Sequence, residues 1–286
     1  MARVHNPLAD DILDTEFKCL NSGFVRLIDY MGGDESIVQA ARVSYGKGTK
    51  TVNEDRGLIR YLMRHLHTTP FEMVELKFHV KLPIFVARQW IRHRTANVNE
   101  YSGRYSVMKD EFYVPEHHAI HFQDLRNKQG RREDEVPQDL RERVLELLIS
   151  SQGKLYKEYG EMLDSDIARE LARINLPLSL YTEWYWKIDL HNLFHFLRLR
   201  TDPHAQHEIR VYGEAMAEIT KKVAPMAWEA FEDYILKSER FSRLELQVIA
   251  DSLAGKEFTK ESVGPKGLKG READEFLEKL ERIRKG

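Results

Sequence analysis

Fourteen residues, RHRTANVNEYSGRY from Arg92 to Tyr105, gather Arg92, His93, Arg94, Glu100 and Arg104 around the small polar groups of Asn99, Ser102 and Gly103. Charged side chains at this density are costly to bury, so the stretch either faces water or holds something. Guanidinium forks match phosphate oxygens bidentately, which suits Arg92, Arg94 and Arg104 to a phosphorylated ligand. Ser102 adds a hydroxyl, and Gly103 a backbone N–H that a ligand can approach closely. Glu100 could orient an arginine, or accept from a ribose hydroxyl or a ring N–H. The competing reading is a solvated helix end whose basic residues complement the helix dipole. Composition alone leaves both open.

Other charged residues sit beside apolar sequence. Arg173, in ELARINLPL, follows Glu170 at the spacing of an intrahelical pair. Arg198 and Arg200 end an apolar segment, FLRLRTDPHAQHEIR, where a long cation either snorkels to water or points into a pocket. His191 and His195 are spaced i, i+4, a geometry that can hold Zn²⁺, but no carboxylate of the HExxH type lies between them and their neighbours are Leu, Phe and Arg. Cys19 is the single cysteine, which excludes an intrachain disulfide and a cysteine-based zinc site. Ser102 has no His-Asp pattern to activate it as a nucleophile. Neither GxGxxG nor GxxxxGK[ST] occurs, so a bound nucleotide would have to be held by side chains.

The elements that must position these residues are legible in outline. FVRLIDYMG (24–32) reads as a strand ended by Gly32-Gly33, and Asp34 as the cap of a helix bearing Ile37, Val38 and Ala41. A second helix is expected from about Asn53 to His67. In MVELKFHVKL strict alternation puts Val74, Leu76, Phe78, Val80 and Leu82 on one face of a strand, with Glu75, Lys77, His79 and Lys81 on the other. Pro83 suits the first turn of a helix, IFVARQWIRHR, that would deliver the basic motif at its end, the motif itself forming an ordered loop. The polar stretch 117–137 reads as a mobile surface loop or lid. A long helix, about Gln138 to Leu163, is followed by a shorter one, then by the aromatic strand LYTEWYWKI and the helices LHNLFHFLRLR and HEIRVYGEAMAEITKKVAP. A charged tail has Gly264-Pro265 and Gly267 as a flexible link to a small amphipathic helix bearing Phe276, Leu277, Leu280 and Ile283. A modest sheet with many helices and no strand-helix rhythm is an α+β pattern.

The chain of 286 residues can bury a sizeable core. A net charge of −2, from 44 basic and 46 acidic side chains, offers no global field for nucleic acid or membrane, so any anion site is local. No apolar run approaches the roughly 18 residues of a spanning helix, and MARVHNPLADDILD lacks signal-peptide character, so a cytoplasmic location is the expectation.

RHR, seven residues, then Ser with GRY after it, resembles the signature of the flavin-dependent thymidylate synthases. AARVSYG, HTTPFEMVELKFHVKLPIFVARQWIRHR, ARINLPLSLYT and FLRLRTDPHAQHEIR resemble that family's other blocks in order, over roughly residues 24 to 235. The resemblance implies an α+β fold peculiar to the family and a homotetramer with active sites shared between subunits. It implies conversion of dUMP to dTMP, with methylenetetrahydrofolate as carbon donor and FAD, reduced by NADPH, as hydride carrier. The corresponding division is an N-terminal extension (1–20), a synthase domain (21–236) and a charged C-terminal extension (237–286).

Carried over by position, the dUMP site comprises Gln89, Arg92, Glu100, Tyr101, Ser102, Gly103, Arg104, Arg173 and Arg200. FAD is assigned to Ser44, Thr69, Arg92, His93, Arg94, Glu100, Asp189, His191 and His195. Arg200 is the implied catalytic residue, polarising the uracil ring so that its C5 becomes a nucleophile, and no metal is implied. Where many members have Asn-x-Arg before the apolar helix, this chain has Asp189-Leu190-His191, which would make a flavin contact weaker or pH-dependent. Two readings from other classes compete: a nucleic-acid-binding module using the 92–104 motif, which the near-neutral charge opposes, and a His-ligated metallohydrolase.

Overall fold

The alternation at 74–82 produces the centre of the molecule. The structure, a computed structural model, describes residues 5–43, 52–125, 130–132, 134–253 and 255–285. Among them β1 (Phe17–Cys19), β2 (Gly23–Met31), β3 (Glu75–Pro83), β4 (Asn97–Glu100) and β5 (Tyr181–Asp189) form one sheet in the order β1-β2-β3-β5-β4. Every pairing is antiparallel. Leu76, Phe78, Val80 and Leu82 of β3, and Val74 just before it, are wholly buried, as alternation requires. The polar face is laced rather than simply wet: Arg26 Nε donates to His79 Nδ1 (3.0 Å), and His79 Nε2 meets Glu183 (3.1 Å), which also accepts from Lys109.

Helices cover the apolar face. In chain order the helices are α1 (Pro7–Asp10), α2 (Asp34–Arg42), α3 (Val52–Arg64), α4 (Ile84–Trp90), α5 (Gln138–Asp164), α6 (Arg169–Ala172), α7 (Leu190–Arg200), α8 (His207–Val223) and α9 (Pro225–Phe231), of which α5 and α6 pack instead in a separate cluster around Met108, Tyr159, Ala172 and Leu180. Trp90 at the end of α4 packs against Trp186 of β5 (centroids 5.3 Å apart) and Phe196 of α7 (4.7 Å). Burying three large aromatic rings together ties the three elements whose ends carry the basic residues.

Four expectations are corrected. Asp34 does not cap its own helix; Gly33 takes that position. Its carboxylate instead accepts from the N–H groups of Met226 (2.8 Å) and Ala227 (2.9 Å), capping α9 across the fold. Burial pushes its pKa up to about 6 against those two donors. The motif expected to be a loop contains β4, because its backbone pairs with β5 from Asn97↔Lys187 to Glu100↔Trp184. The leader is built into the body: Ala9, Ile12 and Cys19 are buried, and Asn6 Nδ2 donates to the carbonyls of Lys222 and Val223 (2.8 Å each). The apolar stripe of α5 is largely uncovered in the single chain, with Leu140 41% and Leu147 48% exposed, while Tyr159 near its end is buried.

The chain divides into two compact units, Met1–Leu236 and Lys237–Gly286. In the second, α10 (Arg243–Ser252), α11 (Lys260–Val263) and α12 (Gly270–Lys285) bury Val263, Ala273 and Leu280. The stretch read as a flexible link forms a 3-10 turn over Gly264–Lys266, closed by Gly267 at φ 97, a left-handed conformation that glycine adopts freely. No helix among the described residues is long and apolar enough to cross a membrane.

Candidate active site

The basic residues fall into two groups, each fixed by different elements. The first lies where α4 and α7 end. Past Trp90 the chain turns, leaving Arg92 and Arg94 exposed and half-burying His93. His93 stands edge-on to Phe196 (4.9 Å), and its Nε2 accepts from Nε of Arg200 (3.1 Å). An imidazole nitrogen can accept only when it carries no proton. Burial, then the neighbouring Arg200 charge and His195, hold the His93 pKa down to about 4, so the ring is neutral around pH 7. Arg200 thus has its guanidinium aimed by a neutral ring that consumes one donor and leaves both terminal nitrogens for a ligand. It is half-buried, and burial lowers its pKa. The crossing of α8 at this point is close, since a Cβ on Gly213 would sit 3.1 Å from the Arg200 carbonyl.

A cleft of about 1280 Å³ opens between Arg200, Gln89 and the residues His118 to Asp124, with Arg131, Gln206 and His207 on its wall. Glu208, buried beneath it, accepts from Arg131 Nη2 (2.7 Å to each oxygen), Gln206 Nε2 (2.8 Å) and the Tyr113 hydroxyl (3.1 Å). Burial pushes its carboxyl up, but the Arg131 and Gln206 hydrogen bonds outweigh that and hold it below its ordinary value. Gln206 Oε1 in turn accepts from Gln89 Nε2 (3.1 Å). The sequence carries no signal that these side chains meet, since the contacting pairs lie 77 and 117 residues apart.

The second group follows β4. Glu100 accepts from the Thr182 hydroxyl (2.8 Å), and the Tyr101 hydroxyl donates to the Val107 carbonyl (2.9 Å). Ser102 Oγ accepts from the Arg104 N–H (3.3 Å), closing a tight turn. Gly103 fits closely here: a Cβ would lie 2.7 Å from Met108 Sδ and 3.0 Å from Arg173 Cδ, so both side chains would have to shift to admit one. That close approach brings Arg173 against the signature. The expected Glu170–Arg173 pair does not form; Glu170 takes Arg104 instead (3.0 Å). Among the described residues no hydrogen bond, ion pair or ring contact joins this group to the first.

The remaining residues scatter. Thr69 is exposed at the start of a 3-10 turn. Asp189 is the N-cap of α7, its carboxylate accepting from the Asn192 backbone (2.9 Å) and side chain (2.7 Å), a local task that an asparagine would do less fully. His195 is exposed 6.0 Å from the His93 ring, and burial, Arg198 and His191 lower its pKa. Ser44 lies outside the described residues. Among the described residues no cluster of three or more His, Cys, Asp or Glu is arranged to hold a metal ion. Cys19 is buried in the core with its thiol pushed up to about 12 by burial, so it offers no thiolate at neutral pH.

Arg92, Arg94 and Arg173 make no protein ion pair or hydrogen bond through their guanidinium groups among the described residues, and Arg92 and Arg94 flank a neutral histidine. Unspent cations fit an anionic ligand such as a nucleotide or a dinucleotide cofactor.

Known proteins resemble this chain over most of its length. The family model described as thymidylate synthase complementing protein matches residues 26–226. The flavin-dependent thymidylate synthase of Treponema denticola is 59% identical over 268 residues, covering 94% of this chain and 98% of that one. The Rickettsia bellii protein of the same name is 55% identical, covering 92% and 93%. Among solved structures, a UMP/dUMP methylase, PolB, from Streptomyces cacaoi bound with 5-Br dUMP superposes with a TM-score of 0.69 at 35% identity, covering 78% of this chain and 100% of that one. The signature, the ordered blocks around it and the antiparallel sheet that carries them belong to one lineage, and this chain is a member of the flavin-dependent thymidylate synthase family.

Proposed function

We propose that this chain makes dTMP from dUMP at the Arg200 end of the cleft, with methylenetetrahydrofolate as the carbon donor. Bound FAD, reduced by NADPH, supplies the hydride. The observation that carries the residue assignment is the Arg200–His93 contact, a half-buried guanidinium aimed by a neutral ring. Uracil attacks through C5 only if negative charge can develop on the ring, and a fixed cation beside it stabilises that charge most where water is excluded. Arginine suits the task because it stays protonated. Arg104, Ser102, Gly103 and Arg173 then hold the phosphate, with Tyr101 and Glu100 completing the nucleotide cradle. Arg92, His93 and Arg94 face the flavin, together with Ser44, Thr69, Asp189, His191 and His195. Arg92 and Glu100 are assigned to both ligands.

The two groups of residues that one chain leaves unconnected support sites shared between subunits, and the exposed Leu140 and Leu147 of α5 support a homotetramer. The reaction calls for soluble substrates, in keeping with a cytoplasmic location.

The test is anaerobic: the FAD-loaded protein is reduced with NADPH, then given dUMP and methylenetetrahydrofolate while flavin absorbance and dTMP are followed together. Flavin reoxidation with stoichiometric dTMP is expected. Reduced flavin that never yields dTMP would overturn the assignment.

A further inference from the structure

The chain leaving the signature is gripped by one helix. Met108, five residues past Gly103, is buried in a stretch with no strand or helix of its own to satisfy its backbone. Its N–H donates to the Tyr159 hydroxyl (3.1 Å), and its carbonyl accepts from the Tyr156 hydroxyl (2.9 Å). One turn of α5 thus meets both main-chain groups of a single residue, using a hydroxyl once as acceptor and once as donor. Four residues earlier on the same helix face, Gln152 Nε2 donates to the Tyr113 carbonyl and the Ser179 hydroxyl (3.0 Å each). Phenylalanine would fill the same small core with Ala172 and Leu180, so what the two hydroxyls add is a fixed backbone at Met108.

That backbone governs a crowded point beneath the signature. A Cβ on Gly103 would lie 2.7 Å from Met108 Sδ, 3.0 Å from Arg173 Cδ and 3.3 Å from Arg173 Nη1. Met108 and Arg173 therefore close on the middle of the turn that bears Ser102 and Arg104, and both arginines are exposed above it. We propose that Tyr156 and Tyr159 are positioning residues for the nucleotide phosphate: by locking Met108 they hold Ser102, Arg104 and Arg173 at one spacing before the ligand arrives. This rests on the reading that those three residues hold the phosphate of dUMP. A cradle fixed in advance gives up less freedom on binding, so the tyrosines contribute affinity for the phosphate without contacting it. The chemistry at the uracil ring belongs to Arg200, in the other group, and does not depend on them.

The test measures dissociation constants for dUMP and for deoxyuridine, which lacks the phosphate, together with kcat. FAD-loaded native, Tyr156→Phe, Tyr159→Phe and Y156F/Y159F proteins are compared. Each single variant should weaken dUMP about threefold and the pair about tenfold. Deoxyuridine affinity, and kcat at saturating dUMP, should stay within about twofold of native. A merely structural role would lower the melting temperature and either weaken both ligands alike or leave both unchanged; each of those results overturns the proposal. Should Y159F, with its buried ring, fail to fold, the half-buried Tyr156 decides: an unchanged ratio of dUMP to deoxyuridine affinity in Y156F overturns the proposal. Arg173→Ala separates the proposal from its premise, and should weaken dUMP about a hundredfold and deoxyuridine hardly at all. An indifferent R173A sinks the phosphate assignment and the proposal with it, whereas a sensitive R173A beside indifferent tyrosine variants removes the positioning role alone.

Discussion

At the scale of single residues, the site depends on where protons are missing. Arg200 can be steered by His93 only while that ring is neutral. Arg200→Ala should lower kcat for dTMP formation by at least about a hundredfold, the usual loss when a preorganised charge stabiliser is removed, with FAD absorbance retained. A variant that turns over near the native rate would remove Arg200 from the catalytic role. The histidine makes a separate prediction about pH. Its folded pKa is depressed to about 4 from an ordinary 6.5, so the stability from the neutral ring is complete above pH 6.5 and is lost as the pH falls towards 4. His93→Gln keeps an acceptor but does not titrate. Its melting temperature should fall less steeply than that of the native protein across that window. Parallel curves in differential scanning calorimetry would assign the acid sensitivity to other groups.

At the scale of elements, caps and edges do work that their sequence neighbours do not advertise. Removing the Asp34 carboxylate leaves the first N–H groups of α9 without partners, so Asp34→Ala should cost about 1–2 kcal/mol in chemical denaturation, with little change in dTMP formation. If α2 rather than α9 were the helix capped, the variant would lose far less, since Gly33 already holds that position. This example marks the boundary of what local sequence conveys. Period-two alternation in MVELKFHVKL specified β3 to within two residues, because both the cause and the effect lie in one segment. The 190–200 helix was equally plain. Asp34 looked like a local cap because aspartate before an apolar stripe is a good one, whereas its partners are 192 and 193 residues away. Asn97 to Glu100 have poor strand propensity and became β4 only because β5 supplies the pairing. The Glu208 contacts were illegible for the same reason. The signature residues were legible by type, but which arginine faces which partner was not: Glu170 chose Arg104 over its helical neighbour Arg173.

At the scale of the whole molecule, the division of the site into two groups yields a test of assembly. If Arg200 and Arg173 act on one nucleotide from different subunits, Arg200→Ala and Arg173→Ala proteins are each inactive but complementary. Refolded together in equal amounts, they should recover about a quarter of native dTMP formation, the fraction of sites drawing both native arginines in a randomly mixed symmetric assembly. No recovery, with mixed oligomers verified by mass, would put both residues on the same chain's site.

β4 has a consequence for how this protein tolerates change. It is a border strand, hydrogen-bonded on one side only, and all four of its residues are exposed. Two kinds of constraint are thereby separated: side chains at 74–82 and the aromatic knot around Trp90 answer for folding, while those of β4, with the proposed ligand contact Glu100 among them, bear almost none of the core's weight. Substitutions in β4 are therefore expected to leave a folded protein, and substitutions in the core to remove the protein altogether.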